Sequence, residues 1–143
     1  LLIEQHLILH TDLPMAAQLG EAWIVVRNTG SEPITISRID SATVLLPKHA
    51  DDLLYFTGSW GLEFESVREK LSGPKVLETR AGRSSQGQHP WFALSGEAYT
   101  FSAAPAWSGN WIFRFEPMAP CWPTTPISTA SSLASGARLK GWA

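Results

Sequence analysis

Alternation with a period of two runs through the middle of the chain. In NWIFRFEP, Trp111, Phe113 and Phe115 fall on one side of an extended backbone and Ile112, Arg114 and Glu116 on the other, the pattern of a strand with one face in a core. EAWIVVRN puts Trp23 and Val25 on one face and Ile24 and Val26 on the opposite face, which predicts a strand covered on both sides. In the NTGSEP that follows, Asn28 and Gly30 tolerate positive φ and Pro33 restarts the chain in an extended form, so a hairpin into ITISRIDSATVLLP is expected. LLYFTGSW, LEFESVRE, KVLETRAG, PWFALS and EAYTFSAA are further runs, each bounded by Gly, Pro or Asn. Only SVREKL has the composition of a helical turn, and no window sustains a period of 3.6 with caps. About eight short strands at regular spacing predict an all-β fold, an antiparallel β-sandwich. Pro105 in FSAAPAW removes a ladder donor and predicts an edge or a bulge.

Composition narrows the partners. The 143 residues, 44% hydrophobic, suffice for one core. A formal net charge of −2 offers no broad attraction to phosphate backbones or anionic lipid, so neither nucleic acid nor a membrane surface is an expected partner. Cys121 is the single cysteine, which excludes an internal disulfide framework and a cysteine-rich zinc site. No stretch reaches the roughly 18 apolar residues of a membrane helix, and LLIEQHLILH carries Glu4, His6 and His10 in place of a basic leader. A cytoplasmic location is the expectation. Leu1 opens directly into a strand pattern, as a fragment of a longer chain would. All 13 acidic residues precede Met118, and the Pro-, Ser- and Ala-rich stretch after it lacks alternation. The expected organisation is a sandwich over 1–117 and an atypical, disordered tail over 118–143.

Each candidate for chemistry has a plainer reading beside it. His6 and His10 are four apart, the spacing of two metal ligands on a helix, but their local pattern is a strand and no further ligand clusters with them. No metal site is expected. Ser84, Ser85 and His89 share a loop, without the nucleophile-elbow pattern of a serine hydrolase. Glu63 and Glu65 are two apart on a strand, which is compatible with the carboxylate pair of a small jelly-roll glycosidase, but a solvated strand face is the favoured reading. Trp60, between Gly58 and Gly61, has the indole face that stacks on sugars, or else it is a packing tryptophan of the core or a domain contact. AGRSSQGQHPWF is a tightly turned polar loop in which Arg83 offers a planar fork to a carboxylate, and its plainer role is to fix a domain contact.

In chain order, YFTGSWGLEFE, LETRAGRSSQGQHPWFAL and WSGNWIFRFEP resemble the N-terminal β-sandwich domain of glycoside hydrolase family 36, the bacterial α-galactosidases, over a span from about IEQHL to Pro117. Membership implies a large sandwich that lacks its first several strands here. It also implies a partner, the catalytic (β/α)8 barrel of the same parent chain, which carries both catalytic aspartates. No catalytic residue and no cofactor is then expected in this chain. The resemblance implies an exo-acting, retaining parent enzyme acting on α-galactosides such as the raffinose series, with homo-oligomers among its relatives. It casts Tyr55, Phe56, Trp60 and Phe64 as packing the sheet and its barrel contact; beside it, the residue types themselves leave Arg83, Ser84, Ser85 and His89 as a domain-contact loop and Trp60 as the candidate for substrate. A free-standing carbohydrate-binding sandwich is the alternative. GEAYTFSAAPAWSGNW is about two residues longer than the family's strand pair, and residues 118–143 match nothing in it.

Overall fold

The computed structural model describes residues 1–10, 12, 18–37, 39–47, 50–116, 124–131 and 138–142, the last two segments as backbone strands. They form eleven strands and no helix among the described residues. These are β1 (Leu2–His10), β2 (Leu19–Arg27), β3 (Asp40–Pro47), β4 (Asp52–Ser59), β5 (Leu62–Lys70), β6 (Lys75–Thr79), β7 (Gly87–Ser95), β8 (Thr100–Ala106), β9 (Trp111–Phe115), β10 (Thr124–Ser131) and β11 (Arg138–Trp142). Seven make one sheet in the order β1-β2-β11-β8-β7-β4-β5, and four make a second in the order β3-β10-β9-β6. Every described pairing is antiparallel.

The period of two does what it predicts where both sheets meet. Trp111, Phe113 and Phe115 of β9 are buried, and from the facing sheet Phe92 sets its ring edge-on to Phe113 and Phe115, at centroid distances of 4.9 and 4.8 Å. Edge-to-face geometry brings the positive ring edge to a negative ring face, so these pairs add to the burial they share. Leu53, Leu77 and Leu94 close the core around them. β1 is less protected: Ile3, Leu7, Ile8 and Leu9 stay exposed along the edge of the larger sheet.

Three expectations change. β2 and β3 do not form a hairpin, because β2 pairs with β1 and β11 while β3 pairs with β10 in the other sheet. The turn chemistry is nevertheless present: Asn28 Oδ1 accepts from the Gly30 amide at 3.0 Å, and Asn28 Nδ2 donates to the Glu32 carbonyl at 2.8 Å. SVREKL is the second half of β5, where pairing with β4 overrides its helical composition. The stretch from 118 onward supplies two strands. β10 lies between β3 and β9, and β11 between β2 and β8, whereas 118–123, 132–137 and 143 lie outside the described residues. The β-branched Thr124, Thr125, Ile127 and Thr129 suit a strand. Pro126 is compatible with it because the β9 ladder begins only at Ile127, which leaves Pro126 a neighbour on one side. Pro105 follows the same rule, since the β7 ladder beside β8 stops at Ala103.

Candidate functional site

One end of the sandwich gathers all three motif-bearing stretches. Gly58 of β4 pairs with Gly87 of β7, which sets the β4–β5 turn beside the 80–86 loop. The amide of Gly82 in that loop donates to Asn110 Oδ1 at 2.8 Å, which draws in the turn between β8 and β9.

The polar loop is tied from below. Trp111 Nε1 donates to the Ser84 carbonyl at 2.6 Å, and Thr79 Oγ1 lies 3.2 and 3.1 Å from the carbonyls of Arg83 and Gln86. Gln88 Oε1 accepts from the Glu78 amide at 2.7 Å. Trp111 and Thr79 thereby satisfy loop carbonyls that have no ladder partner. Above these ties Arg83 and Ser85 are exposed, and Ser84 is half-buried. The neighbouring Arg80 is bound to Glu78 Oε2 at 3.0 Å, whereas the Arg83 guanidinium has no ion pair or hydrogen bond among the described residues. His89 is not on this surface. It is 8% exposed, its Nε2 has no hydrogen-bond partner, and no hydrogen bond joins it to Ser84 or Ser85 among the described residues.

The hairpin carries an aromatic patch built on two bulges. Between the pairs Thr57–Glu65 and Ser59–Leu62, Gly58 alone faces Glu63 and Phe64. On the other side of β4, between Tyr55–Phe92 and Thr57–Gln88, Phe56 alone faces His89, Pro90 and Trp91. Bulges bend a strand and re-aim its side chains. Here Phe64 stacks on His89 at 4.2 Å, and Phe56 contacts Phe64 at 6.1 Å and Trp91 at 5.3 Å. Phe64 adopts φ 60°, a left-handed conformation that costs a non-glycine residue about 1–2 kcal/mol. Two aromatic contacts of about 0.5–1.5 kcal/mol each offset it. At the tip, the turn Trp60–Gly61 has Gly61 at φ 84°, and Trp60 is fully exposed (101%), so it packs nothing in this chain. Tyr55 is buried in the core, Phe56 is half-buried and Phe64 is 66% exposed. Alternation alone does not find Phe56, Phe64 and Trp91 as a cluster, because bulges break the period on both sides of β4.

The remaining candidates lie elsewhere or apart. Glu63 and Glu65 are exposed on either side of the bulged Phe64, with no hydrogen bond or ion pair between them or to a neighbour among the described residues. His6 stacks on Trp23 at 4.8 Å, and His10 Nε2 lies 3.3 Å from Glu21 Oε1. No group of three or more potential metal ligands occurs among the described residues.

Residues 4–120 match the model of the glycosyl hydrolase family 36 N-terminal domain. The chain belongs to that family. It is 32% identical to alpha-galactosidase AgaA of Geobacillus stearothermophilus over 111 residues, 67% of this chain and 15% of that protein. It is likewise 32% identical to the probable alpha-galactosidase C of Aspergillus terreus over 89 residues, 62% of this chain and 12% of that protein. In three dimensions it is similar to the galactosidase domain of the alpha-galactosidase-sucrose kinase AgaSK, with a TM-score of 0.74 and 21% identity, over 99% of this chain and 22% of that one. A G. stearothermophilus AgaA structure in complex with raffinose gives a TM-score of 0.70 at 21% identity, over 99% and 22% of the two chains. These solved structures establish the shared all-β fold. The family 36 chain therefore spans between an eighth and a quarter of the length of such relatives.

Proposed function

We propose that this chain is the non-catalytic N-terminal β-sandwich portion of a retaining α-galactosidase that hydrolyses terminal α-galactosides. Its loop end faces the catalytic (β/α)8 barrel of the same parent chain and, in a homo-oligomer, a neighbouring subunit. The observation that carries this reading is a fully exposed Trp60 at the same end as Arg83, whose guanidinium has no ion pair or hydrogen bond among the described residues, where the three motifs converge. An indole in water and a guanidinium without an acceptor are groups that a second surface satisfies. Arg83 and Ser85 make that contact directly, while Ser84 and His89 hold the loop and the hairpin from beneath. Retaining hydrolysis needs two carboxyl groups about 5–5.5 Å apart across the scissile bond. The exposure of Glu63 and Glu65 on either side of a bulge supports a solvated strand face in preference to such a pair.

The test uses the parent enzyme. If the tip shapes the substrate entrance, Trp60→Ala raises KM for an α-galactoside oligosaccharide and leaves KM for a small aryl α-galactoside unchanged, because only the longer ligand reaches it. If Trp60 is buried against the barrel, both substrates respond alike and the melting temperature falls. No change in either would overturn the placement of the loop end. The exposed indole also favours a second reading, a carbohydrate-binding sandwich that acts alone. Glycan-array binding by the isolated chain, abolished by Trp60→Ala, would select it.

A further inference from the structure

We propose that Phe64 and His89 are positioning residues that fix the angle at which Trp60 is displayed, an inference that rests on the reading of Trp60 as the presented side chain. The turn Trp60–Gly61 stands directly on the bulge at which Gly58 faces Glu63 and Phe64, so the geometry of that bulge sets the direction of the tip. A glycine would adopt the φ of 60° at position 64 without strain, and Phe64 is 66% exposed, so burial does not explain a phenylalanine there. What its ring adds is the stack on His89 at 4.2 Å, with an edge contact to Phe56 at 6.1 Å beside it. His89 in turn is buried against β4, its Nε2 2.9 Å from the point that a Cβ on Gly58 would occupy. One residue from each of β4, β5 and β7 thus interlocks below the tip, and the turn pivots only if the stack opens. Ordering the tip in advance removes that entropic cost from whatever Trp60 binds.

The experiment is a measurement of backbone amide order parameters in the 143-residue chain, without ligand or barrel. Trp60 and Gly61 are expected to be ordered, near 0.85, in the wild type and in Phe64→Tyr, which keeps the stack. In Phe64→Gly and in His89→Ala they should fall below about 0.6, with the amides of Phe92 and Phe113 unchanged. A Phe64→Gly tip as ordered as the wild type would overturn the proposal. So would a loss that spreads to Phe92 and Phe113, up to unfolding, since that assigns the two residues to the core instead. Because nothing binds Trp60 in this measurement, its outcome is independent of whether Trp60 meets sugar, barrel or neither.

Discussion

His89 Nε2 lies 2.9 Å from the point that a Cβ on residue 58 would occupy, so a side chain there would have to displace the imidazole. His89 is buried and covered by Phe64, which leaves its ring little room to shift. Gly58→Ala should therefore destabilise the chain by about 1–3 kcal/mol, the usual cost of overpacking. Adding His89→Ala removes the clash, and the double variant should lose less than the sum of the two single ones. Additive losses in chemical denaturation would show that the ring moves aside freely.

The bond from Trp111 Nε1 to the Ser84 carbonyl links the core to the exposed loop. Trp111→Phe keeps most of the apolar volume and leaves that carbonyl without its donor, at a cost of about 1–3 kcal/mol if water does not replace it. The larger effect should be local. Trypsin should cut after Arg83 faster in the variant than in the wild type, while sites within the ladders stay protected. An unchanged cleavage rate at Arg83 would mean that Thr79 and Asn110 hold the loop without Trp111.

Lys75 joins the two sheets at the far side, through an ion pair with Glu69 of β5 and a bond to the Tyr55 hydroxyl of β4. The hydrogen bond to Glu69, followed by that to Tyr55, raises its pKa above the ordinary 10.5, against the opposing effect of burial. A raised pKa means that the folded state holds this proton more tightly than the unfolded chain. The contribution is fully present below 10.5 and is lost as pH rises through the folded value. Burial raises Tyr99 as well and acts in the same direction. Lys75→Met should flatten the fall of melting temperature at alkaline pH, and a Tyr99→Phe background should flatten it further. A slope equal to that of the wild type would exclude Lys75 as its source.

Deleting residues 118–143 removes β10 and β11, which are interior strands and not an appendage. The β1–β2 hairpin then loses the strand that links it to β8, and β3 loses its ladder partner β10. The truncated chain should lose β signal in circular dichroism and associate as its concentration rises, because unpaired strands template pairing with other chains. A truncated monomer with an intact cooperative melt would contradict the pairing described for β10 and β11.

What was legible in the sequence follows from where local pattern and tertiary contact agree. Trp111, Phe113 and Phe115 alternate and are buried as alternation predicts. The family resemblance, carried by three separated motifs, gave the sandwich and is met by the match over residues 4–120. Sheet order was not legible, since the turn at Asn28 is the same chemistry whether the next strand folds back or crosses to the other sheet. The composition of residues 124–131 hides a strand, because a proline is compatible with one only where a single ladder needs its position, as at Pro126. At the site, Trp60 and Arg83 stood out as residue types, but the cluster beneath Trp60 needed two bulges that no period reveals.

The place of β11 between β2 and β8 also bears on how the chain is made. A ribosome releases Leu19–Arg27 early and Arg138–Trp142 late, so the first hairpin is synthesised more than a hundred residues before the strand that secures it. Until then β2 lacks the strand that links it to β8 and the rest of the sheet. Contacts so distant in sequence form slowly and leave partly folded chains open to aggregation. Expression of soluble protein should therefore depend on translation speed and on chaperones that hold the nascent N-terminal hairpin, more than on the stability of the finished core.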